Sequence, residues 1–260
     1  MKKVLVVSDL HAGSNVSVMP DEVWIEHKDH TKANVVQSNP LQKILYAKWV
    51  EMCSEVGKVS ACYCLGDLVD GPNIKSRGFE LWTSNLHQQV ETAHELLSMV
   101  KTSKYFGVQG SYYHVGENTS SDLAVIDKLH GTFGTDLVIN TEGKRLHLNH
   151  EIAYSGSPVT RATAPYSEIV GAVRYDKWYG DFDLLLRGHL HRYLHIHDAD
   201  GEIALCPGWK VRDAFVAKKG LKGGPSHLGY LVLHIGKDNI FVEPHCWVPH
   251  REHLFREVEM

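Results

Sequence analysis

Five times along the chain an apolar, strand-like run breaks off abruptly in Asp, Gly or His. Val4-Leu5-Val6-Val7 ends at Ser8-Asp9-Leu10-His11, and Val59 to Leu65 ends at Gly66-Asp67-Leu68-Val69-Asp70. Tyr105 to Val108 runs into Gly110 to His114, Leu146 to Leu148 into Asn149-His150, and Asp183 to Leu186 into Arg187-Gly188-His189-Leu190-His191. A short unbroken run such as Val4 to Val7 is the pattern of a strand buried on both faces. Between them, the apolar positions 41, 44, 45, 49, 52 and 56 predict a helix over Leu41 to Val56, closed by Gly57. Positions 86, 90, 93, 97 and 100 predict a second over Ser84 to Val100, and Ser120 to Leu129 a short third. Strands alternating with helices specify an α/β chain with a layered, largely parallel sheet. After residue 190, turns at Asp200-Gly201, Pro207-Gly208 and Lys237-Asp238 separate short strands that complete the sheet in antiparallel fashion. Such sheets gather their ligands at the carboxyl ends of strands, so five segments remote in sequence are expected to meet there.

Composition narrows the class. The 260 residues fit one α/β domain, 1–260, with a polar, aperiodic insertion over 15–39 expected to be irregular and to wall the site. A hydrophobic share of 43% with 22% charged residues excludes a disordered or fibrous chain. The formal charge of −4 gives no general attraction to nucleic acid or to anionic membrane. Five cysteines are odd in number and too sparse for a disulfide framework, which fits a reducing compartment. The opening MKKVLVV breaks at Ser8-Asp9, short of an export signal, and no run reaches the ~20 apolar residues of a membrane span. The expectation is a soluble, cytoplasmic protein without membrane contact.

Histidine stands out at 18 residues, and position must select among them. In Asp9-x-His11 and His189-x-His191 the two-residue spacing lets both side chains of an extended segment point the same way. Carboxylate oxygen with imidazole nitrogen suits manganese, iron, zinc or nickel and matches no thiolate-rich structural zinc site. The ligands suffice for two ions, and Asp67, on a tight glycine turn, is placed to bridge them. The thirteen histidines outside the five motifs, His147 included, are expected to be surface or satisfied-core residues.

This ordered set resembles the calcineurin-like metallophosphoesterase superfamily, whose pattern is D-x-H, G-D-x-x-D, G-N-H-D/E, a His after a strand, then G-H-x-H. The resemblance spans Asp9 to His191, and the first, second and last motifs match in full. It implies a four-layer α/β/β/α sandwich around a dinuclear centre of divalent ions, manganese first, with iron, zinc, nickel or magnesium as alternatives. It further implies that Asp9, His11, Asp67 and His191 hold one ion and that Asp67, His150 and His189 hold the other, with Asp70 fixing an imidazole. The third motif departs: Gly110-Ser111-Tyr112-Tyr113-His114 lacks the Asn, and its His comes two positions late. Ser111 or water takes the Asn position, or His114 joins the ligands, or the loop bulges and delivers His114 to the catalytic place. Asp70, otherwise without an imidazole partner, favours the bulge, so His114 and Asp70 are the catalytic candidates. The variant loop resembles a divergent, phage-type branch.

The activity implied is hydrolysis of a phosphomono- or phosphodiester by metal-activated water, on a small-molecule or nucleotide substrate. Arg161, with Lys75 and Arg77, is the candidate to hold the rest of that substrate. A Ser/Thr protein phosphatase is disfavoured, because that branch continues its second motif with Asp-Arg-Gly and this chain reads Asp70-Gly71-Pro72. The alternatives are a metal-dependent nuclease, with nucleic acid as partner, and a non-catalytic binding or scaffold protein that retains the fold.

Overall fold

The computed structural model describes residues 1–26, 32–73, 77–115, 121–153, 157, 160–212 and 224–249. Two sheets carry the fold. In the first, β1 (Lys2–Val7), β4 (Ala61–Cys64), β5 (Tyr105–Val108) and β6 (Thr132–Gly134) run parallel, and β12 (Leu228–Ile235) and β13 (Ile240–Trp247) extend it antiparallel beyond β1. In the second, β8 (Lys144–Leu148), β9 (Leu184–Arg187) and β11 (Glu202–Leu205) are parallel, flanked by antiparallel β7 (Leu137–Thr141) and β10 (Leu194–His197).

The pleat of β1 shows why the layers stack as they do. Its side chains alternate between two separate cores. Val4 and Val6 face the second sheet, among Tyr63, Leu146, Leu186 and Leu231, all buried. Leu5 and Val7 face outward onto Leu45, Trp49 and Met52 of α1 (Pro40–Val56), and the same core takes in α2 (Leu86–Ser98) and α4 (Ser121–Lys128). On the far side, Ile169 of α5 (Thr163–Arg174) covers Leu185, Ile203 and Leu205. Helices, sheet, sheet and helix make the four layers the sequence implied. With both faces of β1 apolar, burial alone does not set its register. The polar breaks at its ends do.

Two sequence expectations change. The segment 15–39 is not wholly irregular, since β2 (Glu22–Glu26) and β3 (Lys32–Gln37) pair as an antiparallel hairpin. Val23, Ile25, Val35 and Val36 supply strand propensity, which the polar residues between them obscured. Its earlier part is core rather than wall, with Val18 and Met19 fully buried. Its last residue is the N-cap of α1: Asn39 accepts from Gln42 N at 2.9 Å while Gln42 Oε1 accepts from Asn39 N at 3.0 Å, a capping box with Pro40 in the first turn. The helix α5 and the strands β7 and β10 had no clear periodic signal. The five cysteines are free, and only Cys246 is exposed.

Candidate metal centre

The motifs sit where β1, β4, β5, β8 and β9 end, and the backbone there is unusual. Asp9, His11, Asp67, His189 and His191 all have positive φ, between 46° and 69°. That left-handed region costs a residue with a Cβ on the order of 1–2 kcal/mol and is rarely visited by non-glycine residues. Five residues of one cluster adopting it together turn each side chain sharply off its strand end. Glycine makes room: a Cβ on Gly110 would collide with the Asp67 carboxylate, and one on Gly66 would lie 2.7 Å from Gly110 Cα.

Among the described residues, three groups of His and Asp have ligand atoms mutually within 4.8 Å: Asp9, His11 and His191; Asp67, His150 and His189; and His11, Asp67 and His114. The second is one set implied by the resemblance, and the first is the other without Asp67, whose Oδ2 lies 4.0 Å from His11 Nε2. Asp9 Oδ1 is 3.2 Å from His191 Nε2 and 3.7 Å from His11 Nε2, and the two Nε2 atoms are 3.1 Å apart. Asp67 Oδ2 is 3.2 Å from His150 Nε2 and 4.0 Å from His11 Nε2, and His150 Nε2 is 3.3 Å from His189 Nδ1.

The opposite ring nitrogens are held from behind. His150 Nδ1 donates to Leu65 O at 2.6 Å, His191 Nδ1 to Lys210 O at 3.2 Å and His114 Nδ1 to Asp70 O at 2.7 Å, while His11 Nδ1 lies 2.9 Å from Asp70 Oδ1. A carbonyl only accepts, so the Nδ1 atoms facing one carry hydrogen, and each ring in its neutral form presents an Nε2 lone pair inward. Anchoring one imidazole nitrogen so that the other faces a cation is the usual support of a metal-ligating histidine.

Charge reinforces the geometry. Burial opposes ionisation of Asp67, but the charge and hydrogen bond of His150, then His114 and His11, hold its pKa well below the usual carboxylate range. Burial and Lys210 work against a proton on His11, yet the neighbouring Asp70 and Asp9 carboxylates raise its pKa to about 9. His150, equally buried, is raised to about 10 by Asp67. His114 goes the other way: burial, then the charge of His11, lowers it to about 4, so it is neutral at pH 7.

Asp70 corrects one expectation. It does not lack an imidazole, because its carboxylate serves His11 and meets Lys210 Nζ at 2.8 Å and Asn73 Nδ2 at 3.1 Å. His114 Nδ1 stands 3.7 Å from that carboxylate and takes the Asp70 backbone carbonyl instead. The reason given for a catalytic bulge therefore falls away. Ser111 stands at the sequence position of the family's Asn, and both its N (2.8 Å) and its Oγ (3.0 Å) donate to the Asp67 carboxylate.

Two supporting residues escaped the sequence. Lys210, 4% exposed, holds Asp70 with its ammonium and His191 with its carbonyl; it hid behind Pro207-Gly208, which read as a turn. Asp122 accepts from the backbone N–H groups of Asp67, Leu68 and Gly110 at 3.0, 2.9 and 2.9 Å, tying the second and third motifs together. Burial, then the charge of Asp67, raises its pKa to about 7. Its place in the first turn of α4 gave no signal of that reach.

Arg161 is exposed; burial, then Arg192 and Arg161, lowers the pKa of His227, whose N donates to His191 O at 2.8 Å. Arg77 is exposed, and Lys75 lies outside the described residues. The remaining histidines behave as expected where described: His147 pairs with Asp136, His195 with Glu202, and His234 and His245 with Glu243. His27, His30, His250 and His253 lie outside the described residues.

The cluster fits divalent cations. Asp9 Oδ1 is buried without a hydrogen-bond partner and faces two Nε2 atoms, an arrangement that a cation would satisfy and that neutral rings alone do not. Two facing sheets with helices outside each make a four-layer α/β/β/α sandwich with a histidine-carboxylate cluster at its strand ends. No family model matches the chain, and no curated protein does. Among solved structures it is similar to zinc-complexed Vps29 of Entamoeba histolytica, at 12% identity over 92% of this chain and 89% of that one, with a TM-score of 0.46. Vps29 of Chaetomium thermophilum aligns at 14% identity over 95% and 97%, TM-score 0.46. An archaeal phosphodiesterase aligns at 10% over 92% and 98%, TM-score 0.46. No helix among the described residues is long and apolar enough to cross a membrane.

Proposed function

We propose that this chain hydrolyses a phosphoester at a dinuclear divalent-metal centre. One observation carries the reading: the buried Asp67 carboxylate lies between two histidine-carboxylate groups whose ligand atoms converge, with the orphaned Asp9 Oδ1 facing into one of them. Asp9, His11, Asp67 and His191 would hold one ion, and Asp67, His150 and His189 the other. Bound there, a pair of divalent ions such as manganese supplies Lewis acidity toward phosphate oxygens and an activated water.

The chain's own residues do the positioning. Ser111 and Asp122 fix Asp67 from two sides, and Asp70 with Lys210 fixes His11 and His191. Leu65 O fixes His150. His114, neutral and hydrogen-bonded through Nδ1, offers Nε2 beside His11 and Asp67, which supports a ligand role in the place of the missing Asn over the role of proton donor. Arg161 remains the candidate for an anionic part of the substrate.

The test is hydrolysis of bis-p-nitrophenyl phosphate by the Mn²⁺-reconstituted chain. Turnover that is lost on chelation and in Asp67→Asn is expected. Two bound ions without turnover on a panel of mono- and diesters would assign the fold to binding instead.

A further inference from the structure

The loop that departs from the family pattern places aromatic surface at the rim of the centre. Tyr112 and Tyr113 open the one-turn helix α3 (Tyr112–Val115), which also carries His114. Tyr112 is 66% exposed and Tyr113 38%. Exposed aromatics scattered singly need no explanation, but these are consecutive and one is fixed in place. The Tyr113 ring meets His114 edge-on at 4.8 Å between centroids, and His114 meets the ligand His11 in the same manner at 4.5 Å. Tyr113 thus stands one ring beyond His114 from the centre. Its hydroxyl donates to Asn73 Oδ1 at 2.7 Å, and Asn73 in turn donates to Asp70, the carboxylate behind His11. A hydroxyl tied to the network of the metal ligands leaves the ring rigid while part of its surface faces solvent. On the neighbouring loop Phe79 is 85% exposed, beside exposed Arg77, and the carbonyls of Phe79 and Glu80 accept from Asn15, four residues after His11.

We infer that Tyr113, with Tyr112 beside it, is a stacking platform for a flat ring on the substrate, so that the phosphoester cleaved here carries a nucleoside. The inference rests on the phosphoesterase reading and names its substrate class. A phosphate held at the centre with one ester arm over this rim would bring a base, a sugar's length away, against an aromatic ring already fixed in position. Stacking of this kind tolerates any base, because every base has a π-face. An aliphatic arm gains nothing comparable there.

Two diesters with the same leaving group separate this from the parent reading. The full Mn²⁺-loaded chain is assayed on thymidine 5′-p-nitrophenyl phosphate and on methyl p-nitrophenyl phosphate, and the readout is the ratio of their kcat/KM values. The wild type is expected to prefer the nucleoside by about tenfold to a hundredfold, the factor that one stacked base supplies, expressed mainly in KM. Tyr113→Ala should bring the ratio close to one. Tyr113→Phe, which keeps the π-face and loses only the bond to Asn73, should retain it. A wild-type ratio near one overturns the platform while leaving the phosphoesterase reading intact. So does an alanine variant in which both rates fall alike, since Tyr113 is then a brace for Asn73 and His114. Turnover of neither diester removes both.

Discussion

Lys210→Met puts the support of the centre to a quantitative test. Lys210 Nζ lies 2.8 Å from Asp70 Oδ1, both groups are buried, and methionine fills nearly the same volume without the charge. Removing one partner of a buried ion pair costs roughly 3–5 kcal/mol, because the other charge is left desolvated. Asp70 keeps His11, which is protonated at pH 7 in the metal-free chain with its pKa near 9, and it keeps Asn73, so the lower end applies. A loss of about 3 kcal/mol, at a urea slope of about 3 kcal/mol/M, moves the unfolding midpoint down by about 1 M. Urea titration of the metal-free chain, followed by circular dichroism, measures it. Adding Asp70→Asn should restore part of the loss, since the stranded carboxylate is then neutral, and the two substitutions should be clearly non-additive. A midpoint within about 0.3 M of wild type, or strict additivity, would refute Lys210 as the counter-charge of Asp70.

His114→Ala is expected to lower metal occupancy and to slow alkyl and p-nitrophenyl esters alike; full occupancy with slowing confined to the poor leaving group would restore the proton-donor role. With His11 near 9 and His150 near 10, both rings carry protons at pH 7 that a metal must displace. Mn²⁺ binding at pH 7 should therefore release close to two protons per chain, measured calorimetrically in buffers of different ionisation enthalpy, and tighten as pH rises toward 9. The same raised values fix the sign for metal-free stability: the contribution of these two histidines is complete below about pH 6.5 and is lost as pH rises through 9 to 10. A metal-free chain that grows more stable over that window would contradict the assignment.

Much of this was legible because strand ends are abrupt. Each candidate ligand follows the end of a strand-like run, so Asp9, His11, Asp67, His150, His189 and His191 could be chosen from the sequence, and the structure brings them together. The supports were harder to read for a physical reason. Lys210 acts across the fold through its ammonium and its carbonyl, and Asp122 through its carboxylate, and no local spacing marks a residue whose partners are 55 or 140 positions away. The left-handed backbone at five of these positions is likewise invisible, since glycine visits that conformation far more readily than Asp or His and no local sequence marks when they do. Sequence order pairs Asp70 with the imidazole of the next motif, whereas the loop after β1 brings His11 to 2.9 Å from its carboxylate and His114 stands at 3.7 Å.

The central claim is that Asp67 is shared between two metal positions, and the Mn²⁺ stoichiometry of the reconstituted chain tests it most directly. Two ions per chain are expected in the wild type and at most one in Asp67→Asn, where the mutual repulsion of two dications is no longer screened by a bridging charge. A folded wild type that binds no Mn²⁺, or an Asp67→Asn chain that still binds two, would contradict it.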